Sequence, residues 1–117
     1  MTYEELVHDV RVAFENADAR QVFEHIAVQI NIVGEGAGIM YIEVADRHIS
    51  VEPYDYYDHD GLVTIDGLTI KDIASGKLTF HEAYESGRLQ FQGNLEKVRK
   101  ISSIKSTVKK SRAKKTK

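Results

Sequence analysis

The densest group of potential metal ligands in this 117-residue chain lies in one acidic segment. Asp55, Asp58, His59 and Asp60 offer oxygen ligands for a hard cation and one imidazole for a transition metal. Their spacing does not match an EF-hand loop, and acidic segments between strands are usually only solvated. Because the chain has no cysteine, disulfides and thiolate sites are excluded as well. We therefore expect neither a metal nor another cofactor.

Potential catalytic side chains do not form a recognisable motif. No two of the five histidines have the H-x-x-x-H spacing that places both imidazoles on one face of a helix. No G-x-S-x-G elbow is present to expose a serine nucleophile. The pattern does not single out an acid–base pair among the 18 acidic residues. We therefore predict that the protein is not an enzyme and has no catalytic residues.

A glycine-rich run from Gly34 to Gly38 could suggest a phosphate-binding loop. A dinucleotide fingerprint has the spacing G-x-G-x-x-G and opens a helix. Here the spacing is G-x-G-x-G, and the apolar residues that follow are typical of a strand. The run therefore predicts a hairpin turn.

Charge is distributed very unevenly along the chain. The last of the 18 acidic residues is Glu96, and ten of the 16 basic residues follow it. Residues 1–96 thus carry a net charge of −12, and residues 97–117 carry a net charge of +10. This asymmetry indicates an acidic domain with a basic arm.

We call residues 105–117 the basic segment. Its composition cannot bury enough apolar surface to offset its ordering entropy, so we expect it to be disordered. Its charge suits an anionic membrane surface, whereas nucleic acid is the weaker alternative because the segment has no aromatic residue to stack on bases. A solubilising tail without a partner is the third alternative. The basic residues of the segment are Lys105, Lys109, Lys110, Arg112, Lys114, Lys115 and Lys117.

Length and composition favour a single soluble domain in the cytoplasm. A chain of this size can build a hydrophobic core without disulfides. The amino-terminal residues are acidic and lack the apolar stretch of a secretory signal, and no apolar run approaches the roughly 20 residues of a membrane span. We expect the domain to cover residues 1–104 and the basic segment to follow it.

The hydrophobic period changes along the chain and predicts both helices and strands. Capping signals and glycines mark the ends of several of these elements. The first predicted element is a helix over residues 2–17 with a capping box at Thr2 and Glu5, and strands over 26–32, 39–44 and 48–52 follow it. After a polar loop over residues 54–60 come a fourth strand over 62–65 and two short helices with capping boxes at Thr69 and Thr79, the first of which ends at Gly76. The last elements are a fifth strand around Leu89 and Phe91 and a helix capped by Asn94.

This order of elements favours an α+β fold with helices on one face of a mainly antiparallel sheet. The short connection at residues 45–47 predicts a meander of antiparallel strands. Pro53 is expected to end the third strand because proline cannot donate to a ladder.

The second half of the chain resembles the lipid-binding domain of the sterol carrier protein type 2 family. The resemblance rests on the turn Ser75-Gly76-Lys77-Leu78 and on the run from Gly87 to Asn94, GRLQFQGN, before the last helix. The glycine-rich turn also matches the first hairpin of the family. The chain departs from the family pattern at Ile39-Met40 and at His81, and its final residues are not a peroxisomal address.

The resemblance implies a twisted five-stranded sheet covered by helices, with a hydrophobic cavity between the two layers. It implies a carrier that binds and transfers a fatty acyl chain, an acyl-CoA or a sterol-like molecule without catalysis. We predict that large inward-facing apolar side chains line the cavity: Met40, Ile42, Phe80, Tyr84, Leu89, Phe91, Ile101 and Ile104.

The alternative is an interaction or accessory module that serves an enzyme of lipid metabolism. In that case the core would be filled by the protein's own side chains, and the basic segment would bind an anionic membrane or nucleic acid.

Overall fold

The computed structural model describes residues 1–14, 17, 19–20 and 22–101, and it shows one five-stranded sheet with helices packed on it. The α+β class is confirmed. Residue 104, where we expect the domain to end, and the basic segment lie outside the described residues. The elements are α1 (Tyr3–Phe14), β1 (Ile26–Val33), β2 (Gly38–Ala45), β3 (His48–Glu52), β4 (Gly61–Asp66), α2 (Gly67–Ser75), α3 (Phe80–Glu85), β5 (Leu89–Gly93) and a final helix, α4, over residues 95–101.

The sheet has the strand order β3-β2-β1-β4-β5 and is mixed rather than purely antiparallel. The first three strands form the predicted meander. The meander does not extend to β4, because β4 pairs with the opposite edge of β1 and runs parallel to it. The cause is the segment 53–60, which carries the chain from the edge strand β3 across the sheet to the far side of β1. Pro53 and the polar residues after it predicted a loop, but not where that loop leads.

Hydrogen bonds at the helix ends explain where the helices begin. Thr2 and Glu5 form a reciprocal capping box at α1, with Thr2 N donating to Glu5 Oε1 at 2.7 Å and Glu5 N donating to Thr2 Oγ1 at 3.1 Å. Thr79 and Glu82 form the same arrangement at α3. Both boxes are as the sequence predicted, because each satisfies amide groups that a helix leaves unpaired.

Helix α2 begins earlier than predicted. Its N-cap is Asp66, which accepts a hydrogen bond from Thr69 N at 2.8 Å, so the predicted box between Thr69 and Asp72 is wrong. Thr69 is instead a buried residue inside the helix, and its hydroxyl donates to Asp66 Oδ2 at 2.9 Å. The helix ends as predicted at Gly76, whose φ of 87° is accessible to glycine at little cost.

Alternation along the strands separates an inner face from an outer face. The inner-face side chains of β1 and β2 lie in register, as in the pairs Val28–Ile42 and Ile30–Met40. These side chains are buried against the helices. Residues 34–37 between these two strands form the predicted hairpin turn. None of the helices in the described part of the chain combines the length and apolar character needed to cross a bilayer.

Candidate functional site

An apolar cavity of about 70 Å³ lies between the inner face of the sheet and the helices. Among the described helices and strands, all except β3 contribute residues to its wall, and the surface loops contribute none. All of the described wall residues are apolar, so the wall offers a guest molecule only contacts with hydrocarbon side chains. These residues are Val10, Ala13, Phe14, Val28, Ile30, Ile42, Val63, Ile65, Ile70, Ile73, Ala74, Phe80, Leu89, Val98 and Ile101.

Four of the eight residues predicted for the cavity lie in this wall. They come from four different elements, and the fold brings them together: Ile42, Phe80, Leu89 and Ile101. Each is buried, with at most 8% of its surface exposed.

The other four predicted residues are not in the wall. Met40 is fully buried in the core beside Ile30 but does not reach the cavity. Tyr84 is 40% exposed on α3, and Phe91 is half-buried on β5. Ile104 lies outside the described residues.

The sequence prediction missed most of the wall, namely every wall residue of α1 and α2 and also those of β1 and β4. Helix α1 contributes Val10 and Phe14, and α2 contributes Ile70 and Ile73. The helical spacing of these apolar residues was visible in the sequence, but periodicity marks only a buried face. It does not distinguish a side chain that borders a void from one that is packed on every side.

Asp60 holds together the strands and the helix at one end of the cavity. Its backbone N donates to Ala27 O at 2.7 Å, and its Oδ2 accepts from Ala27 N at 2.9 Å. Asn94 N donates to Asp60 O at 3.0 Å, and Lys97 Nζ of α4 donates to Asp60 Oδ1 at 3.0 Å. Burial acts to raise the pKa of the Asp60 carboxyl, but the Ala27 amide and Lys97 outweigh it and hold this pKa below its ordinary value.

A polar cluster occupies the outer face of the sheet, on the side away from the cavity. His25 Nε2 lies 2.6 Å from Glu43 Oε2, and the Tyr56 hydroxyl donates to the same carboxylate oxygen at 2.9 Å. Tyr56 N also donates to Gln29 Oε1 at 3.0 Å, which fixes the segment 53–60 on the sheet. The hydrogen bond to Glu43, followed by burial, raises the pKa of Tyr56. Because the sheet separates this cluster from the cavity, the cluster cannot act on a molecule held there.

The acidic segment does not form a metal site in the structure. Asp55 and Asp58 are exposed, and Asp60 is engaged by Ala27 and Lys97. Within the described ranges, no group of three or more histidine and carboxylate side chains is placed to hold a metal ion.

Comparison with known proteins identifies both a sequence family and a fold. The model of the SCP-2 sterol transfer family matches residues 9–105. None of the curated proteins compared with the chain is significantly similar to it in sequence.

Solved structures share the fold at low identity. The sterol carrier protein 2 like 2 of Aedes aegypti has 18% identity and a TM-score of 0.64, over 86% of this chain and 94% of that one. The solution structure of palmitated SCP2L2 from Aedes aegypti has 17% identity and a TM-score of 0.67, over 90% and 95%. The inverting sec-alkylsulfatase Pisa1 from Pseudomonas sp. has 12% identity and a TM-score of 0.68, but the match covers 81% of this chain and only 15% of that enzyme. The same fold therefore occurs both as nearly a whole chain and as a small part of an enzyme.

Proposed function

Because the chain belongs to the SCP-2 sterol transfer family, we propose that it binds an apolar lipid without catalysis and transfers it between membranes or partners. The observation that carries this proposal is the cavity between sheet and helices, whose described wall is apolar throughout. The ligand is a molecule with a long hydrocarbon part, namely a fatty acyl chain, an acyl-CoA or a sterol-like compound. The palmitated relative from Aedes aegypti supports an acyl chain as the first ligand to test.

Burial of the hydrocarbon part supplies the binding energy. Each buried methylene contributes about 0.8 kcal/mol, and the loss of ligand freedom and the ordering of the wall offset part of this gain. We expect micromolar affinity, or about −8 kcal/mol, for an acyl chain of roughly 12 to 18 carbons.

The size of the cavity favours a second candidate function. A volume of about 70 Å³ is well below the roughly 300–1,000 Å³ of ordinary ligand pockets. In the carrier, the wall must therefore move apart when a ligand binds. If it cannot, the protein is an interaction or accessory module with a self-filled core, which the occurrence of this fold within the sec-alkylsulfatase also favours.

Native mass spectrometry of gently purified protein separates the two candidates. A carrier retains a heterogeneous set of lipids, whereas a self-filled module has only its own mass. The lipid is then removed, and a fluorescent fatty acid is titrated in competition with unlabelled acyl chains. Ile73→Asn, which places an amide in the cavity wall, is expected to weaken binding at least about tenfold, whereas Leu68→Asn on the exposed side of α2 is the matched control. Failure of every chain of about 12 to 18 carbons to bind would exclude the carrier.

The basic segment extends this proposal to the source of the lipid. Its seven cationic side chains would attract the protein to an anionic bilayer, at about 1 kcal/mol for each residue close to the surface. A location in the cytoplasm, where the membrane leaflet is anionic, is part of the same proposal. Nucleic acid is the competing partner for the same charges, and the vesicle experiment in the Discussion tests it by including duplex DNA.

A further inference from the structure

Where α3 and β5 meet, the wall of the cavity is built from a short helix and an edge strand. Strands β1, β2 and β4 are each hydrogen-bonded to a neighbour on both sides, whereas β5 is an edge strand bonded only to β4 in the described sheet. Helix α3 has only six residues. If the protein binds a ligand as proposed, opening this side of the wall leaves the pairing of β1, β2 and β4 with one another intact.

The ring of Phe91 fills a space above Gly61 on the inner face of the sheet. A Cβ added at Gly61 would lie 2.8 Å from Phe91 Cε1 and 2.9 Å from Phe91 Cζ. It would also lie 3.0 Å from a Val98 methyl carbon, and Val98 is a wall residue of α4. The ring therefore takes the place of a side chain on β4 and lies directly beside the cavity wall.

Three aromatic rings connect this position to the protein surface. Phe91 and Phe80 make an edge contact, with ring centroids 6.3 Å apart at 88°. Phe80 and Tyr84 are nearly parallel, with centroids 6.4 Å apart at 4°. Phe80 borders the cavity, while Tyr84 is 40% exposed. We call Phe80, Tyr84 and Phe91 the aromatic port.

We propose that the aromatic port is the route by which the hydrocarbon chain of a ligand reaches the cavity, and that the Phe91 ring closes this route. An alkyl chain that slides along the three rings stays in contact with apolar surface from the exposed end to the cavity. Phe91 is half-buried and lies on the edge strand β5, so its ring can leave Gly61 without disturbing the central strands. Tyr84 and Phe91, which were predicted to line the cavity, thus control access to the cavity and are not part of its wall.

The test compares the same substitution at two phenylalanines, Phe91→Leu in the port and Phe14→Leu in the wall on α1. Association and dissociation of a fluorescent fatty acid are followed by stopped flow, and circular dichroism checks the fold of each variant. In Phe91→Leu we expect both rate constants to rise about tenfold, while Kd changes less than about threefold. In Phe14→Leu we expect only the dissociation rate to rise. Equal association rates in wild type and Phe91→Leu, or the same increase in Phe14→Leu, would refute the port.

Two further measurements keep the inference testable if Phe91→Leu folds poorly or if lipid does not bind. Tyr84→Ala removes the ring at the exposed end of the port and should lower both rate constants, because the hydrocarbon chain loses this apolar contact on its way in and out. Exchange of dissolved xenon with the cavity, measured by NMR, reports access without any lipid, since apolar cavities of this kind bind xenon. Faster xenon exchange in Phe91→Leu without lipid binding in wild type refutes the carrier and the lipid route, and supports only the closure of the cavity by the Phe91 ring. Lipid binding with unchanged xenon and lipid rates in both port variants refutes only the port.

Discussion

Two glycines, Gly87 just before β5 and Gly93 at its last position, should differ sharply in their tolerance of a side chain. Gly87 has a φ of 80°, and a Cβ there would meet nothing within 4 Å, so Gly87→Ala carries only the cost of the left-handed backbone, about 1 kcal/mol. Gly93 has a φ of 118°, and its Cβ would lie 2.4 Å from Asp60 O. Relieving that overlap moves the backbone that pairs with Ala27 and Asn94. Backbone strain and about two lost hydrogen bonds add up to about 3–5 kcal/mol for Gly93→Ala.

Urea unfolding and thermal melts measure this difference. With about 4 °C per kcal/mol for a domain of this size, the melting temperature should fall by about 4 °C in Gly87→Ala and by at least about 12 °C in Gly93→Ala. Substitution by Asn separates the two causes, because Asn tolerates the left-handed region and should nearly restore stability at Gly87 but not at Gly93. Equal losses at the two positions, or a loss below about 1 kcal/mol at Gly93, would refute the reasoning.

Three other predictions address the charged and capping groups. The folded-state pKa of the Asp60 carboxyl is lowered, so the ionised carboxylate stabilises the fold at neutral pH. This stabilisation is lost as the pH falls below the ordinary value of 3.8 and through the lowered folded-state pKa. Urea unfolding of Asp60→Asn should therefore show lower stability at neutral pH and a shallower acid dependence, and an acid dependence equal to that of wild type would contradict this. Thr79→Ala should lower the free energy of unfolding by about 1 kcal/mol, whereas Thr79→Ser should nearly retain it; equal effects would show that the hydroxyl cap is unimportant. Truncation after Ser106 removes six positive charges and should strongly reduce low-salt sedimentation with anionic vesicles. Duplex DNA at equal phosphate is the competitor, and equal sedimentation of both forms would make the segment a solubility tail.

Local features of the fold were predictable because they depend on neighbours in the chain. The capping boxes at Thr2 and Thr79 each join residues three positions apart, and the hairpin at Gly34 to Gly38 depends on glycine spacing. The resemblance carried by the run from Gly87 to Asn94 led to the correct family. The cap of α2 was placed wrongly at Thr69, because Asp66, three residues earlier, accepts a hydrogen bond from Thr69 N and begins the helix before that position.

The candidate site was less predictable because a cavity is a property of packing between distant elements. The alternation of apolar and polar residues in β1 and β4 predicted buried side chains. It did not predict that the two strands pair in parallel after a crossover on the outer face. That pairing places Gly61 beside Val28, and the antiparallel pairing of β5 with β4 brings the Phe91 ring over Gly61.

The order and type of the elements, the apolar faces and the charge asymmetry follow from residue type and spacing alone, since these act through local backbone preference and composition. Which apolar residues border the cavity depends on the tertiary structure, because core residues that border it and core residues that do not are the same apolar types in the sequence. Met40 and Ile42 lie two residues apart on the same face of β2, yet only Ile42 reaches the void. A void forms where the side chains of α1, α2, α3, α4 and the sheet do not fill the space between them. Its location therefore depends on the positions of all these elements together.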